Sequence, residues 1–187
     1  MSGASRGIGL SLAKLLSQRT DTGGIWLCKR SGHCYRVFRL DASNSNVHVV
    51  MLDVTSKQSA LAAASQVKTI MDGIDVLILN AASVIPKLPF YPLLQARQTK
   101  KILFASSIAC SIASNLPLPM SANGHSKAAV NYTAKAISLD LKDQGFIVVA
   151  YNSGLVSSDM MGIYDKEKVF QLAPGVVKMK PQLRRSM

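Results

Sequence analysis

Near its amino terminus the chain reads Gly3-Ala4-Ser5-Arg6-Gly7-Ile8-Gly9, and glycine at this spacing suits one kind of chemistry. It clears side chains from a turn so that backbone N–H groups approach an anion closely. The anion then rests on the positive end of the helix expected to start near Leu10. A pyrophosphate fits such a turn. The context that confirms the motif is a strand before it and a helix after it. Only Met1 and Ser2 precede it here, so the helix is expected and the strand is not. Cys28, His33 and Cys34 are metal-ligand types. Two adjacent ligands and one further back match no standard zinc spacing, so reduced structural thiols and no metal are expected.

The elements that must position this turn belong to one domain. A chain of 187 residues, 48% hydrophobic and 17% charged, builds a substantial core and excludes a disordered or fibrous class. No apolar run reaches the roughly eighteen residues of a membrane span, and the start lacks the layout of a secretory signal. A soluble, cytoplasmic protein is expected. The net charge of +12 raises nucleic acid as a partner. Its Lys and Arg residues are scattered without interleaved aromatics, so a solvated basic surface is the better reading. Lys178, Lys180, Arg184 and Arg185 add to it in a basic tail. Three cysteines form no disulfide framework.

Short β-rich apolar runs alternate with helical patterns, which predicts an α/β domain with a parallel sheet covered on both faces. Strands are expected at Ile25–Lys29, Val47–Leu52, Asp75–Leu79, Lys101–Ala105 and Phe146–Tyr151. Leu61, Ala64, Lys68 and Met71 trace one helical face; Val130, Ala134, Ile137 and Leu141 trace another, with Gly145 as its cap. Residues 31–46 give no clear period. Pro86, Pro89 and Pro92 leave room only for a stub of helix around Leu93–Gln98.

Taken in order, the motifs resemble those of the short-chain dehydrogenase/reductase family through residues 3 to about 160. The turn GASRGIG resembles its cofactor turn, which assigns Gly3, Ser5, Arg6, Gly7, Ile8 and Gly9 to cofactor binding. Leu52-Asp53-Val54 resembles the segment whose Asp contacts adenine. Asn80-Ala81-Ala82 resembles the segment closing the family's fourth strand, and KILFASS (101–107) its fifth strand ending in the active-site serine. Residues 154–160 resemble the nicotinamide loop and bring in Val156 and Ser158, with Ser153 replacing the usual proline and Ser158 the usual threonine. The wording PMSANGHSKAAVNY is similar to fungal ketoreductases of polyketide pathways, which implies a place in secondary metabolism.

The resemblance implies a Rossmann-type doubly wound parallel sheet, here incomplete, with the family's first and last strands missing. Residues 1–160 would form the NADP-binding domain. Residues 161–187 would be a short remnant of the substrate loop and a basic tail. It further implies hydride transfer between a nicotinamide and a small-molecule carbonyl or alcohol. Ser107 would polarise the oxygen, with Ser106 as the alternative, and Lys127 would hold the nicotinamide ribose. For the cofactor, Arg6 and Arg30, beside Lys29, are cations suited to a 2′-phosphate, and no acid follows the expected second strand. NADP is therefore favoured over NAD.

The family's proton-donating tyrosine, four residues before the lysine, is replaced by Asn123. An amide is no general acid near neutral pH, and such a group commonly contributes about 10²–10⁴ in rate. The relay asparagine has no visible counterpart, and the helix through which family members dimerise is largely lost from 82–100. Tyr164 and Lys168 match Y-x-x-x-K literally but lie beyond the nicotinamide loop. Tyr132 has the wrong spacing to its lysine and reads as a buried helix-face residue. His125 points away from Lys127. Two accounts stay open: a shortened product whose start lies upstream, and a family member that no longer turns over. The functional expectation is an NADP-dependent oxidoreductase that reduces a ketone or oxidises a secondary alcohol; the alternative is a catalytically inactive cofactor-binding remnant (a pseudoenzyme) or a truncated gene product.

Overall fold

A computed structural model describes residues 1–5, 7–19, 21–22, 25–29, 45–81, 89–113 and 121–154. Among the site residues expected from the sequence, Arg6, Arg30, Val156 and Ser158 lie outside these, as do residues 161–187 with Tyr164 and Lys168. Nine elements carry the site: α1 (Gly7–Ser17), β1 (Ile25–Lys29), β2 (Val47–Met51), α2 (Lys57–Ile70), β3 (Val76–Leu79), α3 (Tyr91–Gln95), β4 (Lys101–Ser106), α4 (Ser121–Asp140) and β5 (Ile147–Asn152). Two short 3-10 turns, Ile108–Cys110 and Lys142–Gln144, flank α4.

Among the described residues all strand pairs are parallel, and they fall into two ladders, β1–β2 and β3–β4–β5. The amino terminus adds, among the described residues, one isolated bridge to β3, Ser2 to Leu79, with Ser2 N donating to Ile78 O at 2.8 Å. The two ladders share no strand-to-strand pairing among the described residues. The period-two pattern of β2 and β3 sends side chains to opposite faces. Val47 and Val49 join Ile78 on one face against Leu10 and Ala13 of α1, with Met1 and Ala4. Val50, Leu52, Leu77, Ile102 and Phe104 face α2, α3 and α4. Helices on both faces of a parallel sheet are the doubly wound arrangement expected, and every expected strand is present to within one residue at each end.

Local rules account for the helices and for three departures from expectation. Ser56 caps α2, its hydroxyl accepting from Ser59 N. The buried stripe of α2 is Ala60, Ala63, Ala64 and Val67 rather than the larger side chains, and Leu61 is 49% exposed. Alanine lets a helix close tightly on a sheet but gives a weak hydropathy signal. The stub helix runs over Tyr91–Gln95 instead of Leu93–Gln98, because Pro92 sits in its first turn, where no N–H is required. Tyr91 stacks on Phe146 at 5.6 Å and binds Gln144 through its hydroxyl. On α4, Val130 and Ala134 are buried and Ile137 and Leu141 pack beside them, as expected. Tyr132 is 79% exposed and not a buried helix-face residue, since two positions turn it about 200° from Val130. Gly145, with φ +76°, caps the 3-10 turn that follows α4.

Candidate functional site

The cradle forms where the amino-terminal turn meets the end of β3. Gly3 has φ +70°, and its carbonyl accepts from Asn80 Nδ2 at 3.0 Å. Ala81 N donates to Ser2 Oγ at 3.2 Å. A Cβ on Gly9 would stand 2.1 Å from the Gly3 carbonyl oxygen and 2.8 Å from Asn80 Nδ2. Glycine is therefore required there by close approach. Ser5 and Ile8 are half-buried around the turn, and α1 opens at Gly7, a helix end at which the first backbone N–H groups have no intrahelical partner. Bare backbone donors at a helix N-terminus form a concavity that fits a pyrophosphate. Asp53 follows β2. Its Oδ1 accepts from Thr55 N at 2.9 Å and Thr55 Oγ1 at 2.6 Å, and its own N donates to Ser59 Oγ. That carboxylate is built into the turn that starts α2.

The second half of the site is where β4 ends and α4 begins. Asn123, Lys127 and Asn131 are spaced by four along α4 and so share a face. Lys127 is half-buried, and its Nζ donates to Ala105 O at 2.6 Å. Burial pushes its ammonium below the ordinary lysine range, with a smaller opposing contribution from Cys110. Ser107 Oγ accepts from Ala109 N at 3.2 Å, which caps the first 3-10 turn. Among the described residues its hydroxyl hydrogen is committed to nothing. Ser106 is different, because its Oγ donates to Asn131 Oδ1 at 2.6 Å and lies 3.6 Å from Cys110 Sγ. A Cβ on Gly124 would come within 2.7 Å of Ala109 O, so α4 presses directly on that turn. Asn123 is half-buried, and its carbonyl accepts from Ser126 Oγ at 2.8 Å.

The structure thus brings Ser107, Lys127 and Asn123 to one junction, and Gly3, Gly7, Gly9, Asn80 and Ala81 to another. His125 is exposed, on the other side of α4 from Lys127. Sequence reasoning missed the partners that hold these groups: Ser2, the Ala105 carbonyl, Cys110 and Asn131. For Asn131 a signal existed, since it stands one helical turn beyond Lys127.

A family model described as short chain dehydrogenase matches residues 1–91. An uncharacterized oxidoreductase of Schizosaccharomyces pombe is 37% identical over 185 residues, covering 85% of this chain and 73% of the relative. The chain belongs to the short-chain dehydrogenase/reductase family. A short chain dehydrogenase of Penicillium aethiopicum, gsfK, is 31% identical over 86% of this chain and 76% of its own. Among solved structures, the NADPH-bound carbonyl reductase from chicken fatty liver matches with a TM-score of 0.76. It is 26% identical, with 88% of this chain and 78% of that one covered. Among the described residues, no helix of this family member is long and apolar enough to cross a membrane.

Proposed function

We propose that this chain binds NADP(H) in the Gly3–Gly9 turn and belongs to the carbonyl-reducing, alcohol-oxidising chemistry of its family, with a small-molecule ketone or secondary alcohol as substrate. One observation carries the cofactor reading. Gly9 and Gly3 close on each other and on Asn80 at the start of α1, leaving backbone N–H groups where a pyrophosphate needs them. The carbonyl reductase likeness supports the 2′-phosphorylated form, because that relative holds NADPH. Arg6 and Arg30 are the cations that would meet the extra phosphate, with Val156 and Ser158 beside the nicotinamide.

The cofactor, when bound, supplies or accepts a hydride. The chain's own residues do the rest. Ser107, whose Oγ accepts from Ala109 N, would offer its O–H to the substrate oxygen. Lys127 presents an ammonium held by the Ala105 carbonyl, ready to donate to a ribose hydroxyl. Asn123 can orient an oxygen through its amide but cannot release a proton to it. Water is then left to serve as the acid, and turnover is slow. A substrate from fungal polyketide metabolism is the class that the wording around Asn123–Tyr132 supports.

A second reading, cofactor binding without turnover, is favoured by Asn123 alone. The test is thermal unfolding of the purified chain with and without NADPH, followed by NADPH oxidation against a panel of ketones. The proposal expects a cooperative transition that rises with NADPH and a slow, substrate-dependent rate. A shift with no rate on any ketone selects the binding-only reading. No shift at all overturns both.

A further inference from the structure

The polar cluster behind Ser107 and Lys127 has no place in the chemistry above. Asn131 sits at its centre. Its carbonyl oxygen accepts from Ser106 Oγ at 2.6 Å, and its amide nitrogen donates to Cys110 Sγ at 3.0 Å. Cys110 in turn donates to Ser107 O at 2.7 Å. One amide therefore grips both ends of the segment that carries Ser107: the last residue of β4 and the last residue of the 3-10 turn. Both faces of the amide are used, so its orientation is set by partner chemistry. Yet Asn131 itself is exposed. An exposed side chain engaged this way contributes little to overall stability but does fix a position.

The geometry repeats one helical turn earlier. Lys127 Nζ reaches Ala105 O, the carbonyl immediately before Ser106. Lys127 to Ala105 and Asn131 to Ser106 are thus two rungs between the same helix face and the same strand end. Releasing the second lets β4 and its turn shift against α4, which loosens the first.

We propose that Asn131 is a positioning residue: through Ser106 and Cys110 it fixes the Ser107 segment against α4, and thereby holds Lys127 on the Ala105 carbonyl. Its importance for cofactor binding rests on the reading of Lys127 given above; the clamp itself does not.

The test uses the full chain and four variants: Asn131→Leu, Asn131→Ser, Ser106→Ala and the Ser106→Ala/Asn131→Leu double. The first readout is the pH midpoint of Lys127 acylation, followed by mass spectrometry without ligand; the second is NADPH affinity from its fluorescence. In Asn131→Leu the midpoint should move up toward an ordinary lysine as Lys127 becomes better solvated. Ser106→Ala should move it the same way, and the double variant no further than the larger single effect. NADPH affinity should fall about three- to tenfold, the size of one lost hydrogen bond. Asn131→Ser, which keeps a small polar group, should fall between wild type and Asn131→Leu. A lowered melting temperature with an unchanged Lys127 midpoint would make Asn131 merely structural and overturn the proposal. Should Asn131→Leu fail to fold, Ser106→Ala decides the matter from the other end. If wild type binds no NADPH but the midpoints shift as expected, the clamp stands and the cofactor reading falls.

Discussion

Two asparagines separate the halves of the site. Asn80 is held in the cradle, its side chain bonded to the carbonyl of a turn 77 residues away in sequence. Asn123, at the start of α4, makes no side-chain hydrogen bond among the described residues; only its carbonyl is used, by Ser126. The cradle consists of backbone groups and of places where a Cβ cannot fit, so its chemistry and its packing are one thing. At the junction of β4 and α4 the chemistry resides in side-chain identity, and the packing tolerates a change of that identity. Backbone packing fixes the residue type at Gly3 and Gly9, whereas the half-buried side chain of Asn123 leaves its residue type free to change.

The largest effect that would sharpen this contrast is at Asn123. Asn123→Tyr should raise carbonyl reductase activity about 10²–10⁴-fold, the usual contribution of a placed acid, measured as NADPH oxidation. No gain in a folded, NADPH-binding variant would show that the junction lacks more than one group. Gly9→Ala should act at the other pole. With a Cβ 2.1 Å from a backbone oxygen, it should cost about 3 kcal/mol in chemical denaturation and abolish the NADPH-induced shift. Retention of that shift would mean that the turn relaxes more freely than its contacts suggest.

Smaller still is the difference between the asparagines themselves. Asn80→Ala should destabilise by about 1 kcal/mol, whereas Asn123→Ala should stay within about 0.5 kcal/mol. Equal losses would mean that the two asparagines are held alike. Smallest is a pH effect at Lys127, whose folded-state ammonium is held below the ordinary range by burial. The unfolded chain then binds more protons between the lowered pKa and the ordinary lysine value. Wild-type stability therefore gains with rising pH across that window, and Lys127→Met does not share the gain. The melting temperature of the variant minus that of wild type should fall by a few degrees (about 2–4 °C) from neutral pH toward pH 10. A flat difference would place Lys127 in solvent.

What could be read from the sequence tracks how locally each feature is encoded. The strands were legible because buried parallel strands are continuous apolar runs, and the Val130–Leu141 stripe because its side chains are large. The packing face of α2 was not, since alanines do the packing and Leu61 faces out. For Tyr132 the aromatic ring suggests burial, while its angular position on α4 places it outside. Asp53 could be picked out by position, but its engagement with Thr55 and Ser59 arises only once α2 is capped. The roles of Ser106 and Ser107 separate only after α4 docks and Asn131 takes one hydroxyl and leaves the other.

The single bridge at Ser2 has a thermodynamic corollary. The amino-terminal residues meet β3 at a seam stitched, among the described residues, by one backbone hydrogen bond from Ser2 to Ile78 and by the side chains of Ser2 and Asn80, and the glycine turn lies on that seam. Amide protons along it should be the first to exchange with solvent when the native state breathes. A ligand seated in the turn binds only when the seam is closed, so its binding free energy adds directly to the closed state. Occupancy would then govern how long the polypeptide survives proteolysis as well as whether it is loaded, and the concentration of that ligand in the cell becomes a control on the protein's lifetime.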